Sequence, residues 1–269
     1  MKTILITGST DGIGLATASE LARQGHRVIL HGRNPEKLAA AREQLAAISQ
    51  GEVPAGHVAD LSRLAEAAAL AAEVEQSDER IDVLINNAGV YRTPDTRTAD
   101  GLDVRFAVNT LAPYVLARRL AALLGDKGRV VNLASAAQAP VSLAALAGTT
   151  DADGDFDAYA QSKLALIMWT RDLAARSSAG DPMVVAVNPG SLLASKMVKE
   201  GFGVAGNDLS IGVDILVKAA LSEEFDNAGG QYYDNDGKGF SSPHAHAMDD
   251  GRCRRLVEAM EEVLEHCLG

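Results

Sequence analysis

Tyr159 and Lys163 stand four positions apart in a stretch, 158–176, whose Ala-rich amphipathic pattern predicts a helix. That spacing puts them one turn apart on the same helix face. A phenol ordinarily titrates near pH ~10. A cation beside it favours the ionised form, so the pair is expected to take up or release a proton nearer neutrality. The ammonium has three donors and can reach a second oxygen-bearing group, such as ribose hydroxyls, at the same time. Ser135 follows a predicted strand and can donate to a substrate oxygen on which negative charge develops. A Ser after a strand is also ordinary turn chemistry. Tyr159 is thus the expected acid/base of a carbonyl–alcohol interconversion, with Lys163 and Ser135 beside it.

The partner for that chemistry is suggested at the other end of the chain. Thr7-Gly8-Ser9-Thr10-Asp11-Gly12-Ile13-Gly14 lies between a predicted strand and a predicted helix. Glycines permit a tight turn there, and a helix N-terminus offers N–H groups to a pyrophosphate. A plain turn that happens to need glycine is the alternative. In dinucleotide-binding folds an acid about 20 residues further on holds the adenine ribose. Here the second strand ends His31-Gly32-Arg33-Asn34, with no acid. Arg33 can meet a 2′-phosphate through its planar fork, so NADP(H) is expected in preference to NAD(H), unless Arg33 is only a solvated strand-end cation. Asn109 is a fourth candidate. Pro113 lacks an N–H, so the i→i−4 bond to the Asn109 carbonyl cannot form. The freed carbonyl either holds an ordered water on a proton relay behind Lys163 or marks a simple kink.

These residues need a scaffold, and the apolar pattern supplies one. Strands are predicted at 3–7, 27–31, up to about 58, at 81–86, 129–134, 183–188 and 231–234. Helices are predicted at 12–24, 35–48, 62–76, 101–124, 158–176, 209–222 and 252–266. Alternating strands and helices imply an α/β fold: a Rossmann-type, doubly wound parallel sheet of about seven strands with helices on both faces. Nothing reads as a linker or repeat, so one domain over 1–269 is expected. The segment 142–157 reads as a solvated loop, and 190–207 as a substrate lid carrying Leu192, Leu193, Val198, Phe202 and Val204.

Composition narrows the partners. With 25 basic and 36 acidic residues the formal net charge is −11. That charge disfavours nucleic acid and anionic membrane surfaces, which need basic patches. The N-terminal apolar run stops at Thr7-Gly8, short of a signal sequence, and nothing approaches a membrane span. Cys253 and Cys267 lack metal-ligand spacing and are expected as free thiols in a cytoplasmic protein. No metal is expected: His244 and His246 read as a polar loop, and the Asp151–Asp157 run lacks the Glu of a calcium loop.

Taken in order, these motifs resemble the short-chain dehydrogenase/reductase family. They are the Thr-Gly-x-x-x-Gly-x-Gly turn, Asn86-Asn87-Ala88-Gly89 after the fourth strand, Asn109, Ser135, Tyr-x-x-x-Lys and Asn188-Pro189-Gly190 after the sixth strand. The stretch 158–165 is similar to the retinol-dehydrogenase-like branch. The resemblance implies cofactor contacts at Gly8, Ser9, Thr10, Asp11, Gly12, Ile13, Gly14, Asn87, Ala88 and Gly89. It places Asp60 and Leu61 at the adenine, and Pro189 and Gly190 at the nicotinamide. Tyr159 and Lys163 also touch the cofactor in the family. The family often carries a Thr a few residues after Pro-Gly, bonding the carboxamide. This sequence has none there, and Ser195 stands in. The expected substrate is an apolar, bulky small-molecule carbonyl or alcohol, and the protein a monomer or homo-oligomer. Two other readings stay open: a dinucleotide-binding regulatory protein without turnover, and a C=C reductase.

Overall fold

The computed structural model describes residues 1–49, 53–77, 80–194 and 206–269. Their strands form one eight-stranded sheet in the order β3-β2-β1-β4-β5-β6-β7-β8. The strands are β1 (Thr3–Ile6), β2 (Arg27–Gly32), β3 (Gly56–Val58), β4 (Val83–Asn86), β5 (Arg129–Leu133), β6 (Met183–Asn188), β7 (Tyr232–Asp234) and β8 (Gly239–Ser241). All pair in parallel except β7 with β8. The inner strands are buried on both faces, which is why β4 and β5 carry runs of Val, Leu and Ile without polar alternation. The order reverses direction between β1 and β4. A crevice opens there at the carboxyl ends, as doubly wound sheets require.

Helices α1 (Gly12–Arg23), α2 (Pro35–Ile48) and α9 (Leu209–Leu221) cover one face. The other carries α3 (Leu64–Ser77), α4 (Val104–Phe106), α5 (Ala112–Arg119), α6 (Ala121–Leu124), α7 (Leu143–Leu146) and α8 (Gly154–Arg176). The last helix, α10 (Asp250–Leu268), buries Leu256, Val257, Met260 and Val263 and packs on α8 and α3. Trp169 of α8 is thereby fully buried, edge-on to Tyr114, whose hydroxyl bonds Glu261 of α10 at 2.5 Å.

Three sequence expectations change. The strand count is eight because β8 forms an antiparallel edge of three residues, too short for a periodic signal. The span 142–157 is not all loop. Ser142 caps α7 by accepting from Ala145 N at 3.2 Å, and α8 begins at Gly154 with Asp155 and Asp157 in its first turn. Acids there favour a helix N-terminus. The segment is also held: Arg97 pairs with Asp151 at 2.5 Å, and the buried Arg105 pairs with Asp155 at 2.6 Å. Finally, 101–124 is not one helix. Residues Ala107–Leu111 form a π-helical turn in which Ala112 N–H donates to Ala107 O, five residues back. Pro113, which cannot donate, follows directly.

Candidate active site

The crevice is a cleft of about 850 Å³ running from the glycine turn to Tyr159. At its first end Gly8 (φ +64°) and Gly12 (φ +54°) adopt left-handed backbone conformations that favour glycine. Asp11 caps α1, its Oδ1 accepting from Gly12 N at 2.7 Å. Gly14 admits no side chain, because a Cβ would fall far inside contact distance of Asn87 Nδ2 and Gly8 O. Asn87 knits this turn to the end of β4. Its Nδ2 donates to Thr7 O at 2.8 Å and Gly8 O at 3.0 Å, while Asn87 N and Ala88 N both donate to Thr7 Oγ1 at 3.0 Å. The Asn87 Oδ1 is buried and accepts no hydrogen bond from the described residues.

Gly8, Thr10, Asp11, Gly12, Ile13, Gly14, Arg33, Asp60, Leu61, Asn87, Ala88 and Gly89 all line the cleft, but Ser9 does not. Ser9 is fully buried, and its hydroxyl accepts from His31 N at 2.9 Å and donates to His31 O at 3.3 Å. It stitches the turn to β2 instead of facing a ligand. His31 went unnoticed in the sequence. Its Nδ1 accepts from Gly8 N and its Nε2 donates to Ala59 O, both at 3.1 Å. Burial pushes its pKa down to about 4, so the imidazole is neutral. A Cβ at Gly32, where an acid is usual, would collide with Thr10 Cγ2, so the Thr10 side chain would have to turn away to admit one. Arg33 is exposed at the cleft wall with Lys37 beside it, whose Nζ lies 3.5 Å from Asp11 Oδ2.

At the other end Ser135, Tyr159, Lys163, Pro189 and Gly190 line the same cleft. Ser135 hydrogen-bonds the Tyr159 phenol and pulls its pKa down. Burial is the larger effect and leaves the phenol above its ordinary value, helped by nearby Tyr91. Lys163 is buried and donates to Leu133 O at 2.7 Å, with its Nζ 5.8 Å from the Tyr159 ring centroid. Burial pushes its own pKa down to about 8. The balance thus differs from the sequence expectation: within the protein alone, burial is the largest influence on both groups, because both lie out of water. Tyr91 and Arg92, two and three residues past Gly89, join the wall. The Tyr91 ring sits 5.2 Å from that of Tyr159. Their place at the carboxyl end of β4 was the available signal.

Asn109 stands behind the wall, not in it. Its Oδ1 accepts from Val90 N at 2.8 Å, and its Nδ2 donates to Val90 O at 2.9 Å and Ser162 Oγ at 3.0 Å. Ser162 Oγ in turn donates to Tyr159 O at 2.7 Å. A Cβ at Gly89 would lie 3.3 Å from Asn109 Oδ1 and 3.6 Å from Lys163 Nζ, so both groups converge on that glycine. Ser195, and Val198, Phe202 and Val204 of the expected lid, lie outside the described residues. The ends of that segment are tied together, Ala194 N donating to Asn207 O at 2.8 Å and Asn207 N to Leu192 O at 2.6 Å.

The family model for the short chain dehydrogenases matches residues 2–202, and the chain belongs to this family. It is an oxidoreductase acting on the CH–OH/C=O pair. Human retinol dehydrogenase 13 is 34% identical over 95% of this chain and 82% of its own length. A protein of Streptomyces sp. (strain C5) that carries the proposed name daunorubicin C-13 ketoreductase is 34% identical over 96% and 91%. A short chain dehydrogenase from Burkholderia cenocepacia J2315, solved in complex with NADP, superposes with a TM-score of 0.68. It is 26% identical and covers 87% of this chain and 95% of its own. The glycine cradle and the unsatisfied Asn87 Oδ1 fit a dinucleotide laid along the cleft. Among the described residues no helix is long and apolar enough to cross a membrane.

Proposed function

We propose that the protein transfers a hydride between NADP(H) and an apolar ketone, aldehyde or alcohol, with Tyr159 as acid/base. The observation that carries this reading is that Ser135, Tyr159 and Lys163 share one cleft with the glycine turn. When bound, the nicotinamide supplies or accepts the hydride. The glycine turn and the N-terminus of α1 hold the pyrophosphate, Asp60 and Leu61 the adenine side, and Pro189 and Gly190 the nicotinamide side. Arg33 would meet the ribose 2′-phosphate, and with glycine at position 32 the acid that would select NAD(H) is missing. NADP-bound relatives of the same fold support that preference.

In carbonyl reduction Ser135 donates to the substrate oxygen and Tyr159 delivers its proton there. Burial keeps the phenol protonated at neutral pH, so it holds the proton that reduction consumes. Lys163, at about 8, can return the proton while holding ribose hydroxyls. Asn109 keeps Val90 and Ser162 in place, and its main-chain carbonyl, which Pro113 cannot bond, is the water site of a relay behind Lys163. The chain acts as one domain in the cytoplasm. The reading is tested with a carbonyl panel, NADPH and NADH, and Tyr159→Phe. Turnover should fall by about 10²–10⁴-fold, the usual worth of a positioned acid/base, while NADPH still binds. Near-parent turnover in that variant would overturn the mechanism, and a clear preference for NADH the cofactor assignment.

A further inference from the structure

The loop that follows β6 is held by a part of the chain that none of the motifs includes. The β7–β8 turn runs Asp234-Asn235-Asp236-Gly237 and folds back over Asn188-Pro189-Gly190-Ser191. Asp236 Oδ1 accepts from Ser191 N at 2.9 Å, and its Oδ2 accepts from Ser191 Oγ at 2.5 Å and Asn188 Nδ2 at 2.9 Å. Asn235 Nδ2 donates to Pro189 O at 2.9 Å and to Ile211 O at 3.2 Å. The buried Asn188 closes the knot, its Nδ2 also donating to Asp234 Oδ1 at 2.8 Å and its Oδ1 accepting from Gly190 N at 3.3 Å.

We propose that Asp236, assisted by Asn235, is a positioning residue that sets the Pro189–Ser191 loop against the nicotinamide half of the cofactor. The inference rests on the cofactor reading above.

The physical case is one of preorganisation. Gly190 has φ +122° and Leu192 φ +51°, so the loop holds two left-handed residues, one of them not glycine. Left alone, a short loop of this kind samples other conformations, and ordering it on binding costs affinity. A carboxylate with three donors fixes both flanks of the Pro189-Gly190 turn at once, Asn188 before it and Ser191 after it. Burial works against the Asp236 charge, yet the Ser191 hydroxyl and amide and the Asn188 amide hold it below the usual carboxylate range. The latch therefore stays charged and closed at neutral pH. The strand pairing makes it geometrically possible: β7 lies parallel to β6 with Asp234 opposite Asn188, and β8 returns antiparallel with Gly239 opposite Asp234. The small edge strand that sequence periodicity does not reveal thus completes the arm that reaches the loop.

The experiment compares two ligands on the full-length protein by isothermal titration: NADPH, and adenosine 2′,5′-bisphosphate, which lacks the nicotinamide half. In Asp236→Ala, NADPH should bind about tenfold more weakly, as loss of charge-assisted hydrogen bonds predicts, with the bisphosphate within twofold of the parent. Asp236→Asn keeps one acceptor for Ser191 N and should recover part of the loss. Asn235→Ala, which leaves all charges in place, should give a smaller loss of the same kind. Unchanged NADPH binding in all three variants overturns the latch alone. Equal loss for both ligands in Asp236→Asn overturns it too, since it would mean general disruption. If Asp236→Ala does not fold, Asp236→Asn and Asn235→Ala decide. A parent protein that binds neither ligand removes the cofactor reading, and the latch falls with it.

Discussion

The two ends of the cleft are fixed by different means. At the glycine turn missing side chains set the shape: a Cβ at Gly14 would meet backbone and one at Gly32 the Thr10 side chain, with Asn87 and Ser9 fixing the chain around them. At the Tyr159 end it is done by side-chain amides and hydroxyls: Asn109 on Val90 and Ser162, Ser162 on Tyr159 O, Asn188 and Asp236 on the loop after β6. The first end is shaped largely by exclusion. The second is built from exchangeable hydrogen bonds, which can be retuned residue by residue around Tyr159.

His31 is the exception at the first end, and it offers the largest effect. It is a buried titratable group in a turn otherwise tied to its neighbours by the uncharged Asn87, Thr7 and Ser9 side chains. Its native pKa of about 4 lies below the ordinary 6.5. Above pH 6.5 it is neutral whether the chain is folded or not. As pH falls below that, the unfolded chain gains a proton that the native protein refuses, and stability is lost down to about pH 4. The size is about 3 kcal/mol as an upper figure. Lys163 is its counterpart at the other end. With a native value of about 8 against 10.5, it adds stability as pH rises through that higher window. Urea unfolding from pH 7 to pH 4 should show the acid slope in the parent and a flatter one in His31→Asn. An equal slope in both would mean that carboxylates, not His31, govern the acid limit.

A paired substitution sharpens the contrast. Adding one methyl at Gly14 drives it into Asn87 Nδ2 and Gly8 O, one of them backbone, and should cost about 2 kcal/mol, as overpacking does. NADPH affinity should fall with it. Adding one at Gly89 meets Asn109 Oδ1 at 3.3 Å and Lys163 Nζ at 3.6 Å, both side-chain atoms that can give slightly. Gly89→Ala should therefore cost under about 1 kcal/mol in the same denaturation measurement. Equal costs would break the distinction between a steric end and an adaptable one.

Much of this was legible in the sequence. The buried parallel strands announced themselves as apolar runs, and the glycine turn, Ser135, Tyr159 and Lys163 fall at one cleft, as their order along the chain implies. What was not legible is instructive. The π-helical turn at Ala107–Leu111 keeps helical periodicity, so only Pro113 hinted at it. β8 has three residues and no repeat. The 142–157 segment looked solvated because its aspartates were read without their partners, and Arg97 and Arg105 lie some 50 positions away in the sequence. Asp236 and His31 belong to no motif and act only through contacts that folding creates. Local pattern reports which residues line the cleft far better than which ones hold them in place.

Ser9 carries the smallest prediction and isolates that last point. Its place in the Thr-Gly-x-x-x-Gly-x-Gly turn suggests a cofactor contact, yet its hydroxyl is fully buried and spent on both main-chain groups of His31. Ser9→Ala leaves the His31 N–H without that acceptor, at a cost of about 1 kcal/mol. Because the hydroxyl does not reach the cleft, NADPH affinity should stay within twofold of the parent. The matched control is Thr10→Ser, which removes the Cγ2 that lies against Gly32 and does line the cleft. It should leave stability nearly unchanged and shift cofactor affinity instead. If Ser9→Ala weakened NADPH binding while leaving stability intact, a hydroxyl assigned to holding the turn would be reading the ligand instead, and the distinction between lining and supporting residues would fail at the position where it is drawn most finely.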